Sequence, residues 1–499
     1  MADTVEQVPE SSRPSSGMTL LQYAVFVGVG AFATTFAQTQ TLGRLPITFL
    51  LKNHLHLGKE AVAVFFLWAP FAWNLKPLAG IFTDAFPLLG TRRRSYMILG
   101  ALLAGVLWMV MGLFPNDYGK LLLAAVAMNV FMVLCSTVMG GMMVEAGQAF
   151  GAPGRISSLR QVVMSIAGIG SPALGGYFAG KAFGWSATTM VAASTMLALA
   201  VITLVWQKEK RVTRSAVAEV AERPNLTVPV GAWIGLVAGA ILATFLWKNK
   251  DTESVGTALY AMLSVFVLII AFTQVPTRNS ILVGAQIQLS QILRSRTLWM
   301  AATMLALIYT VPGLGTALTY RQADELKFST QFIGNLGVIE NITGLGAAFL
   351  YAFWCRKSNL RWLIIIGVGV NALFTLLYLS YTRPGAPFIH GIGGFTAVLT
   401  ELALMDLAVR STPKGCEALG FSLMMSVRNF GIGISDVLGT KLIDTYHVKF
   451  NSLVWVNAGT TAAVLLFVFF LPRLVIDRKE GKGEAPAAVT GPAESPPDV

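Results

Sequence analysis

Residues 73–96 read WNLKPLAGIFTDAFPLLGTRRRSY, and long apolar runs lie on both sides of them. Lys76 falls inside the first run, while Arg92, Arg93 and Arg94 stand together just before the next. Arginines between two apolar runs hold a short loop on the cytoplasmic face of a bilayer. A lysine kept within such a run must face a polar interior or a partner. The stretch therefore reads as two membrane helices joined by a short basic loop.

Composition extends that reading to the whole chain. Of 499 residues, 55% are hydrophobic and 12% charged, with a mean hydropathy of +0.64, whereas soluble domains carry charge at about 25% of positions. Runs of about 20 apolar residues match a hydrocarbon layer of roughly 30 Å, and about fourteen are present. They extend from Leu20–Leu42 through Ala61–Thr83, Leu298–Thr319 and Ala418–Ile443 to Leu453–Leu471. Continuous apolar runs of this length imply helices rather than a barrel. The expected architecture is an all-α integral membrane protein with two six-helix bundles, 19–207 and 297–472. Basic linkers at 208–296 enclose an inserted transmembrane hairpin at 228–275, and tails at 1–18 and 473–499 are expected to be disordered. The acidic, Ser/Pro-rich start lacks the basic region of a signal peptide, so the first helix is expected to be retained.

With both termini inside, the inner segments hold 23 Lys and Arg and the outer ones 11, which places both ends in the cytoplasm of a multi-pass protein of the cytoplasmic membrane. The net charge of +12 then reflects topology and anionic lipid, with no nucleic-acid partner. An internal repeat supports two halves. At an offset of 271, Phe49 meets Tyr320, Leu55 meets Leu326 and Leu57 meets Phe328. At an offset of 264, Ser171, Leu174 and Gly175 of GIGSPALGG meet Ser435, Leu438 and Gly439 of GIGISDVLGT. Parallel halves of this kind build carriers whose site lies near the bilayer midplane.

Gly80, Asp84 and the Arg92–Arg93–Arg94 run resemble the loop between helices 2 and 3 of the major facilitator superfamily. More narrowly, TLGRLPITFLLKNHLHL, WNLKPLAGIFTDAFPLLGTRRRSYMILG and STPKGCEALGFSLMMSVRNFG resemble stretches of the folate-biopterin transporter family within it. The resemblance implies a secondary active transporter of a small anionic or pterin-like solute, working by alternating access, with a proton as a possible co-substrate and no cofactor. It further implies a cytoplasmic gate at Asp84, Arg92, Arg93 and Arg94, joined by Glu145 and Glu417 at cytoplasmic helix ends. Two features depart from the family. Its members carry two aspartates four residues apart on helix 4, where this chain has Ser136 and Gly140 while keeping Glu145, and the inserted hairpin is extra.

Lys76, followed by Pro77, is the leading substrate ligand; a structural ion pair and snorkelling are its other readings. Arg428, with Asn429 beside it and Asp436 eight residues on along one face, suits a carboxylate or an interhelical salt bridge. Arg44 reads as a rim residue or a snorkelling one, and Trp73 as a stacking or a packing ring. Glu401, Glu340 and Asp436 are the candidates for ion or proton coupling, or else partners of Lys76 and Arg428. Enzyme chemistry finds no support: the cysteines and histidines lack metal spacing, and no phosphate-binding loop is present. No metal is expected, and the chain is expected to act as a monomer. The alternatives are a carrier of another organic solute and a non-transporting membrane scaffold on the same fold.

Overall fold

The computed structural model describes residues 20–477 apart from 87, 92, 150–152, 208, 210–226, 251, 356 and 414–415. Among them the regular structure is helical, with one isolated bridge between Leu88 and Thr91. The first group comprises α1 (Leu20–Phe36), α2 (Arg44–Asn53), α3 (Lys59–Trp68), α4 (Lys76–Ala85), α5 (Arg94–Gly112), α6 (Tyr118–Ala149), α7 (Pro153–Ala179) and α8 (Gly184–Trp206). A hairpin of α9 (Val230–Lys248) and α10 (Glu253–Gln274) follows, then α11 (Ser280–Arg294). The second group holds α12 (Arg296–Tyr309), α13 (Gly315–Tyr320), α14 (Thr330–Trp354), α15 (Leu360–Thr375), α16 (Ala386–Ser411), α17 (Glu417–Asp444), α18 (Phe450–Val464) and α19 (Arg473–Ile476). Each group has its own apolar core, the first around Phe26, Trp108 and Met132, the second around Met304, Ile364 and Leu404.

Eleven helical stretches among the described residues are long and apolar enough to cross a bilayer. The remaining three expected spans are helical too, and each falls short for a physical reason. The first ends early because the chain turns at Ala37–Gly43 before α2. The ninth divides at Thr310–Leu314, where Pro312 removes a donor and Gly313 relaxes the backbone. The thirteenth, α17, carries Arg428, Asn429, Asp436 and Lys441, which lower its mean hydropathy.

Both breaks occur at the 271 offset, and both are repaired by side chains, as a backbone out of water requires. At the first, the Trp108 indole donates to Ala37 O at 2.9 Å and the Thr41 hydroxyl to Thr35 O at 2.6 Å. At the second, the Ser435 hydroxyl donates to Val311 O, and the Asn457 amide donates to Pro312 O at 2.7 Å. Glycines make the close approach possible. A Cβ on Gly175 would stand 2.8 Å from Leu42 O, and one on Gly439 would stand 1.8 Å from Gly313 O. Leu42 and Gly313 are related by 271 residues and Gly175 and Gly439 by 264, so one contact is built twice. Gly439→Ala is expected to lower unfolding stability by about 3 kcal/mol or more, and Gly175→Ala by about 1–2 kcal/mol. Thermal unfolding in detergent measures both; equal, negligible effects would refute the packing assignment.

The hairpin does not stand apart. Val255 and Ala258 of α10 pack with Ala63 and Leu67 of α3 and with Ile434 and Val437 of α17, so α10 covers the line where the two groups meet. A second seam runs between α7 and α14, where a Cβ on Gly334 would meet Pro172 O at 2.4 Å and Gly176 Cα at 3.0 Å. Small residues let these two backbones touch.

Candidate functional site

At the end of the bundle where α3 begins and α17 stops, the groups are latched by charge. The Arg44 guanidinium donates to Asp436 Oδ2 at 3.1 Å and to Thr316 Oγ1 at 3.0 Å, and lies 3.9 Å above the Phe66 ring. Asp436 also accepts from the Thr316 backbone N–H at 2.8 Å, so it serves as the anion at the start of α13. Lys59 donates to Asp444 at 3.1 Å, Lys441 to Glu60 at 2.5 Å, and Lys52 pairs with Asp324. Arg44 and Asp436, read from sequence as ligand and coupling residue, thus meet each other across the two groups. Removing the carboxylate leaves the guanidinium without its counter-ion and the Thr316 N–H without its acceptor, so Asp436→Ala is expected to reduce stability by about 1–3 kcal/mol. Thermal unfolding, with Asp436→Asn as the milder control, measures it.

Deeper in the first group, the span that begins at α3 bends at Phe71–Leu75, a tight 3₁₀ turn, and resumes with Lys76 and Pro77 opening α4. Proline suits a first helical turn, where its missing N–H is no loss. The bend aims Lys76 inward: its ammonium is surrounded by protein, donates to Ser136 Oγ of α6 at 3.0 Å and lies 5.6 Å from the centre of the Trp73 ring. The Trp73 indole is fixed in turn by donation to Asn129 Oδ1 at 2.9 Å. Lys76 shares a cavity of about 60 Å³ with Thr34, Gln38, Trp73, Ser136 and Arg160, and among the described residues no acidic side chain lines it. Two cations thus face one small polar space without a counter-ion among the described residues. The space admits a carboxylate or a few waters.

Arg160, on α7, was counted in the sequence only toward topology. No local pattern marks it, since its neighbours in the cavity come from α1, α4 and α6. In the second group, Arg428 of α17 pairs with Glu401 Oε1 of α16 at 2.5 Å, donates to Asn429 Oδ1 at 3.2 Å and sits 5.3 Å from the Tyr309 ring centre. The partner is Glu401 rather than Asp436, which α13 already holds. Arg428 and the Tyr309 hydroxyl also interact directly, so Arg428, Glu401 and Tyr309 form one polar cluster. Because Glu401 is 39% exposed, losing one partner of this pair is expected to cost about 1–3 kcal/mol rather than the full price of a buried charge. Arg428→Met should therefore destabilise, and adding Glu401→Met should restore stability in thermal unfolding.

Glu340 of α14 meets His390 of α16, with Tyr381 and Gln322 around the ring. His390 was passed over in the sequence because a lone histidine in an apolar helix shows no partner nearby in the chain. Of the expected gate residues, Arg92 and the side chains of Asp84, Glu145 and Glu417 lie outside the described residues. Glu209 accepts from the backbone N–H groups of Arg93 at 3.1 Å and Arg94 at 2.8 Å, capping the start of α5, and the Arg94 guanidinium donates to Leu204 O of α8 at 2.9 Å.

Among relatives, a probable folate-biopterin transporter 4 of Arabidopsis thaliana is 24% identical over 469 residues, covering 86% of this chain and 91% of that protein. A folate-biopterin transporter of Synechocystis sp. is 23% identical over 446 residues, covering 86% of this chain and 78% of that one. The crystal structure of a D-xylose-proton symporter superimposes with a TM-score of 0.60 at 11% identity, over 91% of this chain and 98% of that chain. The POT family transporter PepTSo gives 0.63 at 12% identity, over 92% of this chain and 99% of that chain. These solved structures share the fold, which is the major facilitator arrangement expected from the sequence. The BT1 family model matches residues 38–489, nearly all of the bundle described above, and the chain belongs to that family of multi-pass membrane transporters.

Proposed function

We propose that the protein is a secondary active carrier of a small organic anion of the folate or pterin type, moving it by alternating access across the cytoplasmic membrane. One observation carries this reading: Lys76 and Arg160 line a single cavity in which the described residues place no acid. Two uncompensated cations in a membrane interior are costly unless an anion visits them. Folates bring carboxylates and pterins bring ring oxygens and a flat face, for which the Trp73 ring and the Arg428 guanidinium are suited. Proton coupling, a monomeric carrier and cytoplasmic termini belong to the same proposal, the last on the bias of 23 against 11 basic residues.

The Arg44–Asp436, Lys59–Asp444 and Lys441–Glu60 pairs close the outer end in this orientation, and their opening would admit solute from outside. The residues expected from the sequence to form the inner gate, Asp84, Arg92, Arg93, Arg94, Glu145 and Glu417, would serve the inner end in the alternate state. Arg44 and Asp436 act in this scheme as a gate rather than as ligands. Uptake of labelled folic acid, pterin and simple organic anions by proteoliposomes tests the proposal. Saturable uptake of folic acid or pterin supports it. Uptake of other anions alone would assign a different cargo, a reading that Ser136 and Gly140 favour. Uptake of none would return the scaffold alternative.

A further inference from the structure

We propose that Glu340 and His390 form the proton-binding site of this carrier, the proton residing on the Glu340 carboxylate and the imidazole holding that carboxylate in place. The proposal rests on the reading of the chain as a proton-coupled carrier and names the group that reading lacks. The coupling candidates differ in what they face. Asp436 faces Arg44, Glu401 faces Arg428 and Asp406 faces Arg410, each a permanent cation. Glu340 faces an imidazole instead.

The hydrogen bonds assign the protons. His390 is 6% exposed, with Nδ1 2.5 Å from Glu340 Oε1 and Nε2 2.6 Å from the Tyr381 hydroxyl. The Gln322 amide nitrogen lies 2.5 Å from the same hydroxyl and 3.2 Å from Nε2. An ionised carboxylate only accepts, so Nδ1 carries the hydrogen. Nε2 then accepts from Tyr381, whose oxygen accepts from Gln322. A second proton on the ring would point into an amide N–H and displace the tyrosine's own hydrogen. The network thus holds the imidazole neutral in one tautomer.

Glu340 has the spare capacity. Its side chain is 40% exposed, and Oε2 makes no hydrogen bond among the described residues. A proton entering there converts the carboxylate to the acid, while Oε1 still accepts from Nδ1–H; release reverses the step. Of the other titratable or charged groups around the ring, Tyr378 lies edge-on at 6.1 Å, and Arg321 is engaged by Glu325 at 3.4 Å and acts on Tyr381 through space. The location suits coupling. Asn341, the next residue, abuts Gly168 of α7, and Gly337, one turn earlier, faces Pro172. Charge at Glu340 therefore changes beside the seam on which the two halves must move.

Infrared spectroscopy of the full-length protein in lipid, titrated from about pH 8 to about pH 5, tests this without a substrate. Acidification is expected to raise a protonated-carboxyl band that is missing in Glu340→Gln and returns, displaced, in Glu340→Asp. In His390→Gln it should shift in frequency and in midpoint pH. A band unchanged in Glu340→Gln overturns the proposal, and one unmoved in His390→Gln overturns the histidine's positioning role. In proteoliposomes, Glu340→Gln should keep exchange of folic acid at equilibrium and lose at least tenfold of its accumulation under an acid-outside gradient. Loss of exchange and accumulation together would overturn the coupling role. Absence of any folic acid transport in wild type would strike the cargo reading, while the infrared band decides the proton site by itself.

Discussion

Lys76→Gln is expected to remove about half or more of the thermal stabilisation that folic acid confers on the wild-type protein, while leaving the melting temperature without ligand within a few degrees. The reasoning is local. Glutamine keeps most of the length of the side chain and can still donate to Ser136, so the bend at Phe71–Leu75 and the start of α4 have no cause to change. What disappears is one of two positive charges on a cavity that no described acid lines. A charge-assisted hydrogen bond contributes about 1.5–3 kcal/mol, which corresponds to a loss of roughly tenfold to a hundredfold in affinity. Ligand at about a hundred times its dissociation constant stabilises by about 2.7 kcal/mol. In the variant the same concentration should give about 0.4–1.4 kcal/mol. Stabilisation that survives undiminished would make Lys76 a structural residue and move the anion site elsewhere. A variant that melts far below wild type without ligand would say the same.

Much of the fold could be read from hydropathy alone, because the bilayer imposes a length and a polarity on every span. What hydropathy could not show was where a span breaks. Pro312 announces one break, but the other rests on Gln38, Thr39, Gln40 and Thr41, and its backbone is repaired by Trp108 from another helix. Nor does hydropathy show what the hairpin covers, since α10 meets both α3 and α17 far away in the sequence. Among site residues, Lys76, Arg428, Glu401 and Glu340 stood out because charge is rare inside a membrane. Their partners did not. Arg428 shares a face with Asp436, yet Glu401 takes it, because Asp436 is bound at the start of α13. Arg160 and His390 are defined by neighbours on three or more other elements, a relation that no spacing along one helix encodes.

Ser136 was legible as a departure from the family, and the structure shows why the departure matters. Its hydroxyl is the hydrogen-bond acceptor of Lys76 among the described residues, whereas a Cβ on Gly140, one turn further along α6, has nothing within 4 Å. A carboxylate at 136 would reach the ammonium, and one at 140 would extend into open space. Ser136→Asp is therefore expected to form an ion pair with Lys76, neutralise half of the cavity's charge and weaken anion binding at least tenfold, with no loss of stability in the absence of ligand. Gly140→Asp, the control, should change binding by less. The decisive comparison is the double-mutant cycle with Lys76→Gln. If the two sites are paired, Ser136→Asp is tolerated in wild type but destabilises the Lys76→Gln background, where the new carboxylate lacks its cation. Additive effects on stability and ligand-dependent melting would mean that residues 76 and 136 do not meet. A gain in anion binding from Ser136→Asp would mean that the cavity serves a cation or a neutral ring, and that its two positive charges are matched by something other than the solute.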